Sequence, residues 1–438
     1  MSIYKLTNHS NPKIDKILKT IVRLHPDEIN LSLHRIKNLL KKLDNPQNKL
    51  PFAIHIAGTN GKGSIVTALY KLQKLNRKIV HVYRSPHLVS INERIIVANK
   101  IISDESLLQA LTYVYKVNNL NTITFFEFLT ATAFYIFSKL KADLLICEVG
   151  LGGTYDATNT LNHKKKACII SSIGLDHKEY LGNSIKKIAN EKSGILKKNN
   201  LLICSHQNKS ALNVVKKASL MNKCKTFFYG KDWHIKNKNL YFKNGNKINL
   251  SNLSLEGNHQ YKNIGCVIMA CNNLRKLRIG HEKIPDYISK LKVEGRLHKL
   301  NGHLRSRYPN TDFWVDCAHN ALGFQVLRKW VLKKQTSRII IILSLGIRKD
   351  YKAILKQIKK INPKFLVLIR KTNFSSRSAK DLYVEASRLK IKCKIINSTL
   401  ETIEFAASIK SRYNARNICL IAGSINLVGE IINQDKLI

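Results

Sequence analysis

Acidic residues are scarce in this sequence: 28 Asp and Glu stand against 75 Lys and Arg, giving a formal charge of +47 and an isoelectric point near 10.0. Such an imbalance draws a protein toward polyanions, whether nucleic acid, anionic lipid, or phosphorylated and polycarboxylate ligands. The lysines are spread from Lys5 to Lys436 and mixed with Asn, Leu and Ile, as in Lys236-Asn-Lys-Asn-Leu240, so no dedicated nucleic-acid surface is expected. Paired cysteines are absent as well. The nine cysteines are scattered and contain no Cys-x-x-Cys, which argues against a disulfide framework or zinc site and fits a reducing cytoplasm. No run of signal-peptide length opens the sequence, and the greasiest stretch, Ile339 to Ile347, is too short to cross a bilayer. A cytoplasmic protein without membrane insertion is expected. Neither an internal repeat nor a low-complexity tract is found.

What remains is a chain of 438 residues, 44% hydrophobic and 24% charged, long enough for two or three domains with cores of their own. Ile14, Ile17, Leu18 and Ile21, then Leu31, Leu33, Ile36, Leu39 and Leu40, recur at helical spacing around a Pro26-Asp-Glu turn and predict two helices. Phe52 to Ala57 reads as a strand, followed by a glycine-rich turn and a helix over Ile65 to Leu75. Strands at Lys78–Tyr83, Leu144–Val149, Ala167–Ile173 and Leu201–Ser205 alternate with helices such as Phe126–Leu140 and Ser184–Ile195. Residues 225–256 are short, polar and aromatic, and read as a small β excursion before a helix from Tyr261 to Leu277. Alternation restarts with strands at Phe313–Asp316, Arg338–Leu345, Phe365–Ile369, Lys394–Ile396 and Ile418–Ala422. The fold expected is α/β. A P-loop ATPase domain with a mostly parallel sheet spans 1–298, and a smaller Rossmann-like domain spans 299–438.

Gly58-Thr59-Asn60-Gly61-Lys62-Gly63-Ser64 lies between that first strand and its helix. Glycines let backbone amides point at an anion, the helix N-terminus adds partial positive charge and Lys62 a full one. The strict Gly-x4-Gly-Lys-Ser/Thr spelling is not met, and a bare glycine-rich turn is the alternative. Glu148 and His177 stand at the ends of two later strands, where α/β sheets present ligands, and a carboxylate with an imidazole can share a divalent ion.

The loop resembles that of the Mur ligase superfamily, specifically its folylpolyglutamate synthase and dihydrofolate synthase branch. Ser85-Pro-His-Leu with Asn92-Glu-Arg-Ile, Glu148-Val-Gly-Leu-Gly-Gly with Asp156-Ala-Thr-Asn159, and Ile173-Gly-Leu-Asp-His177 resemble successive motifs of the branch. So do Ile29-Asn-Leu-Ser-Leu-His-Arg-Ile36, Ile188-Ala-Asn-Glu-Lys-Ser-Gly194, Leu255-Glu-Gly-Asn-His-Gln260, Gly295-Arg296, Asp316-Cys-Ala-His-Asn320 and Gly423-Ser424. The resemblance implies ATP-dependent ligation of L-glutamate to dihydropteroate or to the glutamate tail of reduced folates, through an acyl phosphate. It assigns ATP to residues 58–64 with Asn263 at the adenine, Arg296 at the phosphates and Asp316 at the ribose. It assigns magnesium, as two ions, to Ser85, Glu148 and His177, and implies that Lys192 is carbamylated; a solvated helix lysine is the plain alternative.

Phe126 and Asp156 match pterin-binding positions, Phe126 offering a stacking face and Asp156 a hydrogen-bond acceptor, although Phe126 also reads as plain core. His319, Lys349 and Ser424 match the glutamate side, with Lys62, Lys192 and His319 as the catalytic set; ordinary loop polarity is the rival for Lys349 and Ser424. A monomer is expected. Departures from the branch pattern are Thr154-Tyr155 in place of Arg-Leu, Arg84 in place of Thr, Cys317 and Ala321 in place of Gly and Pro, and Arg348 in place of Asp. Rival readings are a folylpolyglutamate synthase alone and, in another class, a basic nucleic-acid-binding ATPase.

Overall fold

The computed structural model describes residues 9–25, 31–161, 166–334, 339–372, 374–409 and 416–436. The expected Pro26 turn and the first two residues of the Ile29–Ile36 motif lie outside them. Eight strands form the first sheet: β1 (Ala53–Ala57), β2 (Val80–Tyr83), β3 (Ile95–Val97), β4 (Lys100–Ile101), β5 (Leu144–Glu148), β6 (Lys166–Ile170), β7 (Leu201–Cys204) and β8 (Lys225–Phe228). Their order is β4-β3-β2-β5-β1-β6-β7-β8. β2, β5, β1, β6, β7 and β8 run parallel, while β3 and β4 fold back as an antiparallel ribbon on one edge.

β1 is buried along its whole length, as a central parallel strand covered on both faces must be. One face carries helices Lys62–Leu75 and Asn258–Asn273 with Ile65, Leu69, Ile264 and Ile268 inward; the other carries Pro12–Arg23, His34–Lys42, Asp104–Asn118 and Phe125–Lys139 with Ile14, Leu40, Leu111 and Phe134 inward. Neighbours of β1 are connected through the chain on opposite sides, β5 to one and β6 to the other, which opens a crevice beyond its C-terminal end.

A small antiparallel sheet follows, β9 (Trp233–Lys236), β10 (Asn239–Phe242) and β11 (Lys247–Asn249). Asn237 and Lys238, both left-handed at φ 47° and 57°, close the tight turn between β9 and β10. Trp233 on β9 is buried against helix Asn258–Asn273, where a Cβ on Gly265 would meet its ring at 2.4 Å. The second large sheet contains β12 (His298–Lys299), β13 (Thr311–Asp316), β14 (Ile339–Leu343), β15 (Phe365–Ile369), β16 (Cys393–Ile396) and β17 (Asn417–Ala422), ordered β12-β13-β17-β14-β15-β16. All but β12 run parallel, so the expected α/β class holds for both large sheets.

Three readings need correction. Residues 225–228 belong to the first sheet and pair in parallel with β7, rather than to the separate β excursion; Phe227 packs on one face of that sheet and Phe228 on the other, as edge-strand residues do. The ribbon β3–β4 was not expected, because its two strands are only three and two residues long. His177 does not end a strand. It lies seven positions past β6, in a left-handed conformation at the start of the short helix Lys178–Leu181.

Candidate active site

The chain leaving β1 turns at Gly58 (φ 145°) and Gly61 (φ 93°), and neither position has room for a side chain. A Cβ on Gly58 would lie 1.8 Å from Ser171 Oγ, and one on Gly61 2.6 Å from Asn263 Oδ1. Lys62 curls back so that Nζ donates to the Gly58 carbonyl at 3.1 Å. Thr59 is tied to Gly174 through its hydroxyl, and the Asn60 amide pairs with that of Asn320, which caps the helix Ala321–Lys333, at 3.0 Å. Ser64 Oγ is buried with no partner among the described residues. Arg296 stands beside the loop, 3.5 Å from where a Gly63 Cβ would be. Asn263 donates to Gln260 at 2.9 Å, and the Asp316 carboxylate accepts from Leu297 and Ala318 backbone N–H groups, both at 2.8 Å.

Register puts Glu148, the last residue of β5, level with Ile56 and so directly beside the loop. Its carboxylate is buried and accepts from Ser85 N–H at 3.4 Å. Burial pushes its pKa up, against the opposing charges of Lys62 and Arg296. Across the crevice Asp176 collects three donors contributed by the second domain: His319 Nε2 at 3.1 Å, Asn320 Nδ2 at 2.9 Å and Lys349 Nζ at 2.8 Å. Burial opposes its ionisation, but His319, His177 and Lys349 outweigh that and hold the carboxyl well below the usual carboxylate range. His319 Nδ1 faces the Cys317 carbonyl at 2.8 Å, so both its ring nitrogens meet oxygen. Asp176, His177 and His319 each offer an atom within 4.8 Å of the others, close enough to share a metal ion.

Lys192 is 5% exposed and its Nζ makes no hydrogen bond among the described residues; burial, then the charge of Lys62, lowers its pKa to about 7. The solvated-lysine alternative is thereby excluded. Phe126, second residue of its helix, stacks on Tyr83 at 5.9 Å and lies over Gly150, where a Cβ would touch its ring at 2.6 Å. It serves core and cavity at once. Asp156 already has partners: Leu151 N–H at 2.8 Å, Thr158 N–H at 3.0 Å and the Thr158 hydroxyl. Its carboxylate first of all shapes its own turn.

A cavity of about 600 Å³ brings much of this together. Gly58, Thr59, Lys62 and Ser85 line it from the first domain, as do Phe126, Asp156, His177 and Lys192; His319, Lys349 and Ser424 line it from the second. Asn60, Gly61, Gly63, Ser64, Glu148, Asn263, Arg296 and Asp316 are not on its wall. Asp176, Asn320 and Arg94 were not named from sequence as site residues. Arg94 is buried on the cavity wall, donates from Nε to His87 Nδ1 at 2.9 Å and sits 5.8 Å over the Phe125 ring. All three lie inside motifs that were read; Asp176 and Asn320 adjoin the chosen His177 and His319, and that adjacency was the available signal, while Arg94 adjoins no chosen residue. A second cavity of about 650 Å³, lined by Pro51, Phe52 and Asp143, opens at the opposite end of β1 and β5 and gathers none of these groups.

A relative from Bacillus subtilis, dihydrofolate synthase/folylpolyglutamate synthase, is 31% identical over 426 residues, covering 92% of this chain and 95% of its own length. The chain belongs to the dihydrofolate synthase/folylpolyglutamate synthase family. Residues 56–271 match the Mur ligase middle domain, the region that holds the phosphate loop, Glu148, Asp176 and Lys192. Among solved structures, Mycobacterium tuberculosis folylpolyglutamate synthase complexed with ADP and AMPPCP shares the family fold at a TM-score of 0.85, 23% identity, and coverage of 97% of this chain and 99% of that one. E. coli FolC in complex with DHPP and ADP gives 0.84 and 22%, covering 97% and 98%. In this family member, then, both large sheets and their relative arrangement follow the family fold.

Proposed function

We propose that the protein joins L-glutamate to the carboxylate of dihydropteroate, or to the glutamate tail of a reduced folate, at the expense of ATP. One observation carries the reading: a single cavity in a chain of this family receives Lys62 from the phosphate loop, Lys192 from the first domain, and His319, Lys349 and Ser424 from the second. The acceptor carboxylate oxygen attacks the terminal phosphorus of ATP, the bond to ADP breaks, and an acyl phosphate forms. The glutamate amine then attacks the acyl carbon and phosphate leaves, taking up the amine proton, while Asp176 holds His319 at the glutamate side of the cavity. Lys62 offsets the charge of the transferring phosphoryl group. Lys349 and Ser424 hold the carboxylates of the incoming glutamate.

Asn263, Arg296 and Asp316 hold adenine, phosphates and ribose in this reading. Ser85, Glu148 and His177 hold magnesium, as two ions in its full form. Two of the donors suit a hard cation, Glu148 as a buried carboxylate with no ion pair among the described residues and Ser85 as a hydroxyl on the cavity wall, whereas His177 lies with Asp176 and His319. Magnesium bound there supplies charge neutralisation along the phosphates. Carbamylation of Lys192 is supported by its burial and its lowered pKa of about 7, which leave a neutral amine able to add carbon dioxide and release a proton. Phe126 offers its ring to the pterin, with Asp156 beside it.

The protein works as a monomer, since one chain carries every side chain assigned, and it resides in the cytoplasm, in keeping with nine free cysteines. No described helix is long and apolar enough to cross a membrane. The deciding assay offers purified protein ATP, magnesium and glutamate with dihydropteroate or a reduced folate in separate reactions, and resolves products by mass. Glutamate added to one acceptor alone distinguishes the single synthase from the double one; addition to neither defeats the reading.

A further inference from the structure

The cavity of about 650 Å³ lies where β1 and β5 begin, separated from the phosphate loop by the five residues of β1, about 16 Å of strand. Pro51, Phe52, Leu144 and Leu277 give it an apolar wall, and Lys78, Lys276 and Asp143 add charge. Hydrogen bonds stitch its frame together. Asn76 donates to the Arg278 carbonyl at 3.2 Å and Gln73 to that of Leu277 at 3.0 Å. The Asp143 carboxylate accepts from Ile79 N–H and its own N–H donates to the Ile79 carbonyl, both at 2.8 Å. The hollow is therefore preformed, since the segments around it are tied to one another.

Charge in this frame is one-sided. Segments 76–79, 140–143 and 274–278 carry Arg77, Lys78, Lys141, Arg275, Lys276 and Arg278 against a single acid, Asp143, which already accepts from Ile79. None of these cations forms an ion pair among the described residues. Lys276 instead places Nζ 5.8 Å from the centre of the Phe52 ring, so an aromatic face and an ammonium share one wall. Like charges collected around an apolar hollow repel one another, and an anionic ligand with an apolar body relieves that repulsion while covering the wall.

We propose that this cavity is a second binding site, for an aromatic body carrying a chain of carboxylates, and that its occupant is the folate product with an extended glutamate tail. The aromatic body lies against Phe52 and its apolar neighbours, and the tail crosses the cationic frame. Each ligation turns one carboxylate into an amide and brings two more, so every added glutamate adds one negative charge and strengthens binding here. Because the site stands at the far end of β1, its occupant does not compete with the acceptor. The identity of the product rests on the ligase reading above, and the test separates the two.

Pteroylmonoglutamate, pteroyltriglutamate and pteroylpentaglutamate are titrated into the protein while amide hydrogen exchange is followed by mass. The pentaglutamate slows exchange in segments 76–79 and 274–278 as well as around the catalytic cavity. The apparent Kd read from those two segments falls about two- to threefold per added glutamate and rises with salt. Lys78→Gln/Lys276→Gln weakens this protection about three- to tenfold, and Arg275→Gln weakens it by a smaller factor. Protection around the catalytic cavity, and turnover of a monoglutamate acceptor, stay within about twofold in both variants. Protection confined to the catalytic cavity, equal protection by the mono- and pentaglutamate, or undiminished protection in both variants overturns the proposal. So does a single-stranded RNA oligonucleotide that protects these segments more strongly than the pentaglutamate, which would make the frame a nucleic-acid surface. Pentaglutamate bound here by a protein that ligates no glutamate keeps the site and removes the ligase reading; ligation without this protection does the reverse.

Discussion

The phosphate loop and the Asp176 cluster face one cavity but are assembled in opposite ways. Residues 58–64 form one unbroken run between a strand and a helix, whereas Asp176 meets His319 and Lys349 from 143 and 173 residues away. The loop owes its shape to local glycines and one strand end. The cluster exists only while two domains are docked, so its chemistry is conditional on closure in a way that the loop's is not.

The harshest test of this contrast strips charge from the loop side. Lys62→Ala and Glu148→Ala each lower ligation at least about a hundred- to thousandfold, with unchanged melting temperature; near-normal turnover in either purified variant would put the site elsewhere. Lys192→Ala is also inactive, but formate or acetate restores part of the turnover by entering the space of a lost carbamate. Full activity from protein whose Lys192 is unmodified by mass would remove that idea.

Asp176→Ala probes the other side. Losing a carboxylate that holds Lys349 and His319 costs about 1.5–3 kcal/mol, roughly one to two decades in kcat/KM for glutamate, while the KM for ATP holds. An equal loss of ATP affinity would erase the distinction between loop and cluster.

The smallest effect concerns His55 on β1, fully buried against Thr158 at 2.8 Å and Lys166 at 3.4 Å. Burial first, then the Lys166 charge, lowers its pKa well below 6.5. Below that value the unfolded chain takes up a proton that the folded state refuses, so stability falls as pH drops, by at most about 1.4 kcal/mol per pH unit. Urea midpoints should therefore decline between about pH 7 and 5, and His55→Gln should flatten the decline; an unchanged slope would show that His55 is not its source.

The same contrast explains what could be read from the sequence. Gly58–Ser64, Glu148 and the strands around them follow from local pattern, because a phosphate loop is a short-range object and a doubly covered parallel strand such as Ile339–Leu343 is apolar throughout. Asp176 and Asn320 were passed over although their neighbours His177 and His319 were chosen. Nothing local tells a carboxylate that it will meet three donors from another domain. Arg94 was hidden for a similar reason, since a charged residue ending the single helical turn Ile91–Arg94 reads as surface until the fold buries it against His87 and Phe125. Lys192 shows the converse. Its motif position was informative, while its burial could be learned only from the packing of Gly153 against its backbone.

The paired amides of Asn60 and Asn320 join the phosphate loop to the second domain at 3.0 Å. Swinging that domain away must break this pair or drag the loop with it, so loop geometry and interdomain angle share one free-energy surface. Whatever a nucleotide gains by favouring the docked arrangement is returned, in equal measure, as resistance to opening while it is bound. Nucleotide affinity and the parting of the domains are then linked in free energy, and part of that linkage runs through two asparagine side chains.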